Sequence, residues 1–217
     1  VPAKNIYRFD QMTFQEAVFT EPLATVIYGL SRTEIKPENK ILINGAGPIG
    51  LLHLQMAGHY GCSEIVVTDL VPEKLEMAEF FGASRVFLAS MPDLDRQLTS
   101  CAVRGFDVII DCTGVPAVIE HSLAYLKNTG KLLIFGVSPQ NSKIQLNPFE
   151  IYRHDWKIIG SYALNKTIKT AVELLENKQI KVEKLIDRVM SRDDLLEAFN
   201  LVKKGENLGK IVICHED

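Results

Sequence analysis

The chain has 217 residues, 47% of them hydrophobic and 24% charged, and a formal net charge of -3. That composition supports a soluble globular core and lacks the basic footprint of a nucleic-acid binder. No apolar run approaches the roughly 20 residues of a membrane-spanning helix, so neither nucleic acid nor a membrane is an expected partner.

The sequence opens on Val1 without a starting Met or a signal peptide, so a fragment of a longer protein is expected. Its first helical pattern starts at Glu21-Pro22 and runs toward Leu30. Strand-like and helical stretches then alternate: "KILING", "PIGLLHLQMAGHY", "EIVVTDL", "PEKLEMAEFFG", "FDVIIDCTG", "AVIEHSLAYLKNTG" and "KLLIFGV". Strands apolar on both faces and separated by helices specify an α/β fold, a Rossmann doubly wound parallel sheet with helices on both faces. Gly61, Gly82 and Gly130 follow helical runs where left-handed C-caps belong, and Pro72 suits a first helical turn. After Val137 a connecting segment rich in Pro and Asn leads to one more strand near Lys157 to Tyr162. The helices "KTIKTAVELLENKQ" and "RDDLLEAFNLVKKG" and the strand "KIVICH" close the chain.

Between the first strand and its helix lies Gly45-Ala46-Gly47-Pro48-Ile49-Gly50, a G-x-G-x-x-G followed by Asp69 at the end of the next strand. In such a turn Gly45 permits the bend, Gly47 lets backbone approach a diphosphate, and Gly50 lets helix and strand pack closely. The helix N-terminus then faces the anion with free N–H groups, and Pro48 loses nothing at the first helical position. Asp69 can accept bonds from two ribose hydroxyls and repels a 2′-phosphate, so NAD is expected over NADP. Thr113 with Gly114, and Gly136 with Val137, fall at carboxyl ends of strands, where open α/β sheets bind ligands.

Cys62, Cys101, Cys112 and Cys214 form no C-x-x-C pair, which fits free thiols in a reducing cytoplasmic setting and no structural zinc site. Cys112 reads as a small buried hydrophobe, since no base neighbours it. His53 and His59 lie six apart on one helix, a spacing that puts them on different faces, so both read as surface or packing residues.

"EPLATVIYGL", "ILINGAGPIGLL", "VVTDLVPEKLEMAEFFGAS", "DVIIDCTGVPA", "GKLLIFGV" and "LGKIVIC" together resemble the medium-chain zinc-dependent alcohol dehydrogenases, closest to the polyol branch with sorbitol, galactitol-phosphate and threonine dehydrogenases. The resemblance covers essentially the whole chain but not the family's N-terminal catalytic portion. It implies a catalytic-domain remnant over 1–23, a dinucleotide-binding domain over 24–162 and a return to the catalytic domain over 163–217. It also implies NAD and a catalytic zinc whose ligands lie mostly elsewhere, with Glu21 in "EPLA" as the carboxylate toward the metal or its water. Read alone, Glu21 is simply an N-terminal helix residue. By the same resemblance Thr25 faces the nicotinamide and Lys74 flanks the adenosine ribose; alone, they are a helix threonine and a solvated lysine. No catalytic residue is expected within this chain.

The activity implied is oxidation of a secondary alcohol (a polyol, polyol phosphate or amino alcohol) to a ketone by hydride transfer to NAD, with zinc as Lewis acid. The chain alone is expected to bind NAD(H) without turning over an alcohol. "GSYALN" carries Tyr162 without the arginine of the sorbitol type and is nearer the galactitol-phosphate type. Two alternatives stay open: a zinc-independent medium-chain quinone or enoyl reductase, and a non-catalytic NAD-binding module. A homodimer or homotetramer joined through "GKLLIFGV" as an edge strand is also implied.

Overall fold

The computed structural model describes residues 2–215. These divide into two compact units, Val26–Ala163 and the described residues within Val1–Thr25 and Leu164–Asp217. In chain order, α1 (Phe14–Ala17) and α2 (Thr20–Ser31) precede β1 (Lys40–Asn44), α3 (Pro48–His59), β2 (Glu64–Asp69), α4 (Pro72–Phe80), β3 (Arg85–Leu88) and α5 (Leu94–Cys101). Next come β4 (Phe106–Asp111), α6 (Pro116–Ser122), β5 (Leu126–Ile134), α7 (Pro148–His154) and β6 (Lys157–Gly160). The last elements are α8 (Ile168–Glu176), β7 (Ile186–Ser191), α9 (Leu195–Lys204) and β8 (Lys210–Cys214).

The Val26–Ala163 unit is a six-stranded sheet of order β3-β2-β1-β4-β5-β6 in which every neighbouring pair is parallel. It is the expected doubly wound α/β fold. The strand order reverses between β1 and β4, which opens a crevice at their carboxyl ends. Strands such as "KILIN" and "FDVIID" have centres apolar on both faces because helices cover both; Ile41, Leu42, Ile43, Ile109 and Ile110 are fully buried. On one face Leu98 of α5 and Ile119 of α6 pack with Leu42, Val66, Ile109 and Leu132. Helix α3 is buried along most of its length, including Leu52, His53, Leu54, Met56 and Ala57.

Four expectations need correction. β5 is not an edge strand: it lies between β4 and β6, and the sheet's edges are β3 and β6. Gly130 is not a helix cap, because the helix stops at Ser122 and a 3-10 turn at Tyr125, and the chain is already extended from Leu126. The left-handed residue there is Thr129 (φ 63°), and Gly130 is needed for close approach, since a Cβ would lie 2.6 Å from Leu126 Cγ. The connecting segment contains α7, whose start is capped by Asn147 Oδ1 accepting from the Phe149 N–H at 3.0 Å. Finally β3, α5 and β7 went unanticipated; each is short, and α5 and β7 are rich in polar residues.

In the second unit β7 and β8 form a two-stranded parallel sheet. Thr13 and Glu16 make a capping box at α1, and the buried Glu16 carboxylate also accepts from Lys178. Gln11 N–H donates to Glu176 Oε1 at 2.8 Å, and Thr167 Oγ1 donates to the Ala24 carbonyl at 2.7 Å. These bonds fasten the two chain segments of this unit together. No helix among the described residues is long and apolar enough to cross a membrane.

Candidate functional site

The turn after β1 is built around three glycines with different duties. Gly45 takes φ 100°, closed to most side chains, and donates its N–H to the Thr68 carbonyl at 2.8 Å. Gly50 is a packing requirement: a Cβ there would lie 1.9 Å from the Gly45 carbonyl oxygen. Gly47 is different, for its φ of -69° suits any residue and a Cβ would meet nothing within 4 Å. The space over Gly47 stands at the N-terminus of α3, with Pro48 in the first turn and no acidic residue there. First-turn N–H groups lack intrahelical acceptors and the helix dipole is positive at that end, so this opening suits an anion.

Asp69 ends β2 beside this turn. One carboxylate oxygen accepts the Ala46 N–H at 2.7 Å and the other the Val71 N–H at 2.9 Å. Each oxygen has a second lone pair, so two further hydroxyl donors can still be met. Lys74 is half-buried in the first turn of α4, where its own N–H donates to the Val71 carbonyl at 3.1 Å.

The loops after β4 and β5 are locked together across the reversal point. A Cβ on Gly114 would lie 2.5 Å from the Val137 carbonyl oxygen, and one on Gly136 would lie 2.2 Å from the Gly114 nitrogen. Thr113 reaches the first turn: a Cβ on Gly45 would come within 3.3 Å of its Cγ2. Thus Gly45, Thr113, Gly114, Gly136 and Val137 converge, and Thr113 and Val137 remain exposed to whatever occupies the crevice.

The organiser of these loops is Asp111, which sequence reasoning did not single out. Its fully buried carboxylate accepts from Thr113 Oγ1 at 2.6 Å, the Thr113 N–H at 3.2 Å and the Gly114 N–H at 3.1 Å. Its carbonyl accepts the Phe135 and Gly136 N–H groups at 3.0 and 2.8 Å. The signal was present, since an Asp bonding its own backbone two residues on is a known turn device. Asp111→Asn would turn an amide NH2 toward N–H donors. A loss of about 1–3 kcal/mol is expected, read as a lower urea midpoint; an unchanged midpoint would show that the loops hold without the carboxylate.

Beneath the site Asn44 donates to Ser122 Oγ and accepts from Thr68 Oγ1, both at 2.9 Å, so β1, β2 and α6 share one buried polar chain. The Cys112 thiol is pushed well above its ordinary value by burial and by the Asp111 charge, which leaves it protonated and non-nucleophilic.

Glu21 and Thr25 belong to the other unit. Glu21 is exposed in the first turn of α2, and the Thr25 hydroxyl donates back to the Pro22 carbonyl at 2.7 Å. Among the described residues no group of three or more His, Cys, Asp or Glu side chains could hold a metal ion.

The family model "Zinc-binding dehydrogenase" matches residues 48–177. The sorbitol dehydrogenase of Rattus norvegicus is 30% identical over 208 residues, 94% of this chain and 58% of the relative. The L-idonate 5-dehydrogenase of Vitis vinifera is 30% identical over 210 residues, 94% and 57% of the two chains. Among solved structures, galactitol-1-phosphate dehydrogenase from Escherichia coli superposes with a TM-score of 0.82 at 26% identity, over 97% of this chain and 64% of the other. A Sinorhizobium meliloti 1021 protein solved bound to NADP gives 0.84 at 26% identity, over 100% and 61%. The chain therefore spans less than two thirds of the length of each of these relatives.

Proposed function

The chain belongs to the zinc-binding dehydrogenase family, and from that premise we propose that its Val26–Ala163 unit binds NAD for an enzyme oxidising a secondary alcohol to a ketone. The observation that carries the reading is the open space over Gly47 at the start of α3, where a Cβ would meet nothing within 4 Å and a side chain would project into the room left for an anion. The Gly45–Gly50 turn would hold the diphosphate and Asp69 the adenosine ribose, with Lys74 beside it. Thr113, Gly114, Gly136 and Val137 would line the crevice toward the nicotinamide, and Thr25 is assigned to the carboxamide by family likeness. Bound NAD supplies the hydride acceptor; these residues bind and orient it. The carboxylate of Asp69 favours NAD over NADP, although one relative was solved with NADP.

The substrate class proposed is a polyol, polyol phosphate or amino alcohol, in keeping with relatives named for sorbitol, L-idonate and galactitol 1-phosphate. Zinc does not fit the described residues of this chain by themselves. A protein zinc site takes three or four ligands, and Glu21 is a lone exposed carboxylate. Self-association would use the free edge of β6, and the four free cysteines suit a reducing, cytoplasmic setting.

The test is calorimetry with ADP-ribose, which carries the diphosphate and ribose without the nicotinamide. Saturable binding by the 217-residue chain, with no NADH formed when NAD+, zinc and a panel of polyols are then supplied together, is the expected result. No ADP-ribose binding would remove the cradle reading, and zinc-dependent turnover would overturn the claim that the metal site lies outside these residues.

A further inference from the structure

His53 stands apart from everything used so far. It is wholly buried on α3, and neither ring nitrogen has a hydrogen-bond partner. Its ring lies edge-on to Phe135, 4.6 Å between centroids at 86°. Phe135 in turn fills the space beside Gly29 of α2, where a Cβ would lie 2.9 Å from the phenyl ring and 3.3 Å from Ser161 Oγ. That hydroxyl is also buried without a partner. Three polar atoms are thus enclosed in one apolar junction of α2, α3 and the chain ends after β5 and β6.

We propose that His53 is an acid-sensitive pin: its ring must leave this junction to take a proton, so acid opens the packing of α3 against the end of β5. Opening there would disturb the helix that carries Gly47 and Gly50 and the loop that carries Gly136. The groups facing the ring offer no counter-charge. Phe135 faces it from the end of β5, with Gly29 and Ser161 behind; along α3 its one-turn neighbours are Ile49, Gly50, Met56 and Ala57. On α2, Tyr28 and Arg32 engage each other at 5.9 Å, and Arg32 also donates to the Gly160 carbonyl.

The direction of the effect follows from linkage. Burial pushes the imidazole from 6.5 down to about 3 in the folded protein. The unfolded chain therefore binds the extra proton first, so the stability is complete above pH 6.5 and falls as the pH drops from 6.5 toward 3. The experiment compares unfolding of wild type with His53→Leu, and with His53→Gln as a non-titrating polar replacement, between pH 7 and 5. The wild-type unfolding constant is expected to rise relative to either variant by about 30-fold at pH 5. Flat ratios would overturn the proposal. NMR of the wild type with labelled histidine gives a check that needs no variant: the wholly buried His53 should stay neutral at pH 5.5. A folded-state His53 titrating near 6.5 would contradict it.

Discussion

Gly47→Ala is expected to leave the free protein within about 1 kcal/mol of wild-type stability while weakening NADH at least about tenfold, a loss of about 1.4 kcal/mol. Its φ of -69° is ordinary for alanine, and the added methyl meets nothing within 4 Å, so folding has no reason to suffer. A small capping loss at the helix start opposes a small gain from a stiffer unfolded chain. The methyl would occupy the space assigned to the diphosphate. Gly50→Ala is the contrasting case, because its methyl would sit 1.9 Å from the Gly45 carbonyl oxygen and backbone must move. A stability loss of about 3 kcal/mol or more is expected there, together with loss of binding. Urea unfolding and NADH titration of both variants separate the two roles; equal stability losses would refute the division of labour.

Asp69→Ala should have the largest effect on nucleotide choice. The carboxylate holds the Ala46 and Val71 N–H groups at 2.7 and 2.9 Å, so its removal loosens the glycine turn as well as the ribose site. NADH affinity is expected to fall about 10–100-fold, as loss of charge-assisted hydrogen bonds would give. NADPH loses a repulsion at the same position and should fall less, so the NADH-to-NADPH preference shrinks by about tenfold or more. A variant that lost both nucleotides equally would assign Asp69 to the turn alone.

Much of the nucleotide-type unit was legible because its signals are local. β1, β2 and β4 are apolar runs that stay apolar only when both faces are covered, and the G-x-G-x-x-G sits between strand and helix. What escaped depends on distant partners. The sequence of β5 says nothing of β6 pairing beside it, so an interior strand read as an edge. The helical look of "AVIEHSLAYLKNTG" hid an early stop, since Leu126 is already extended and paired opposite Phe106. Asp111 resembles any strand-end acid until the loops after β4 and β5 are seen to fold over it. His53 read as a surface or packing residue; it is wholly buried, and only the arrival of Phe135 from the end of β5 shows how completely it is enclosed.

The central claim is that the turn after β1 with Asp69 is an NAD cradle, and fluorescence titration of the unmodified chain with NADH and NADPH tests it most directly. The account predicts saturable NADH binding at least about tenfold tighter than NADPH, a difference of about 1.4 kcal/mol. Tighter NADPH binding, or no binding of either nucleotide by the folded chain, would contradict it.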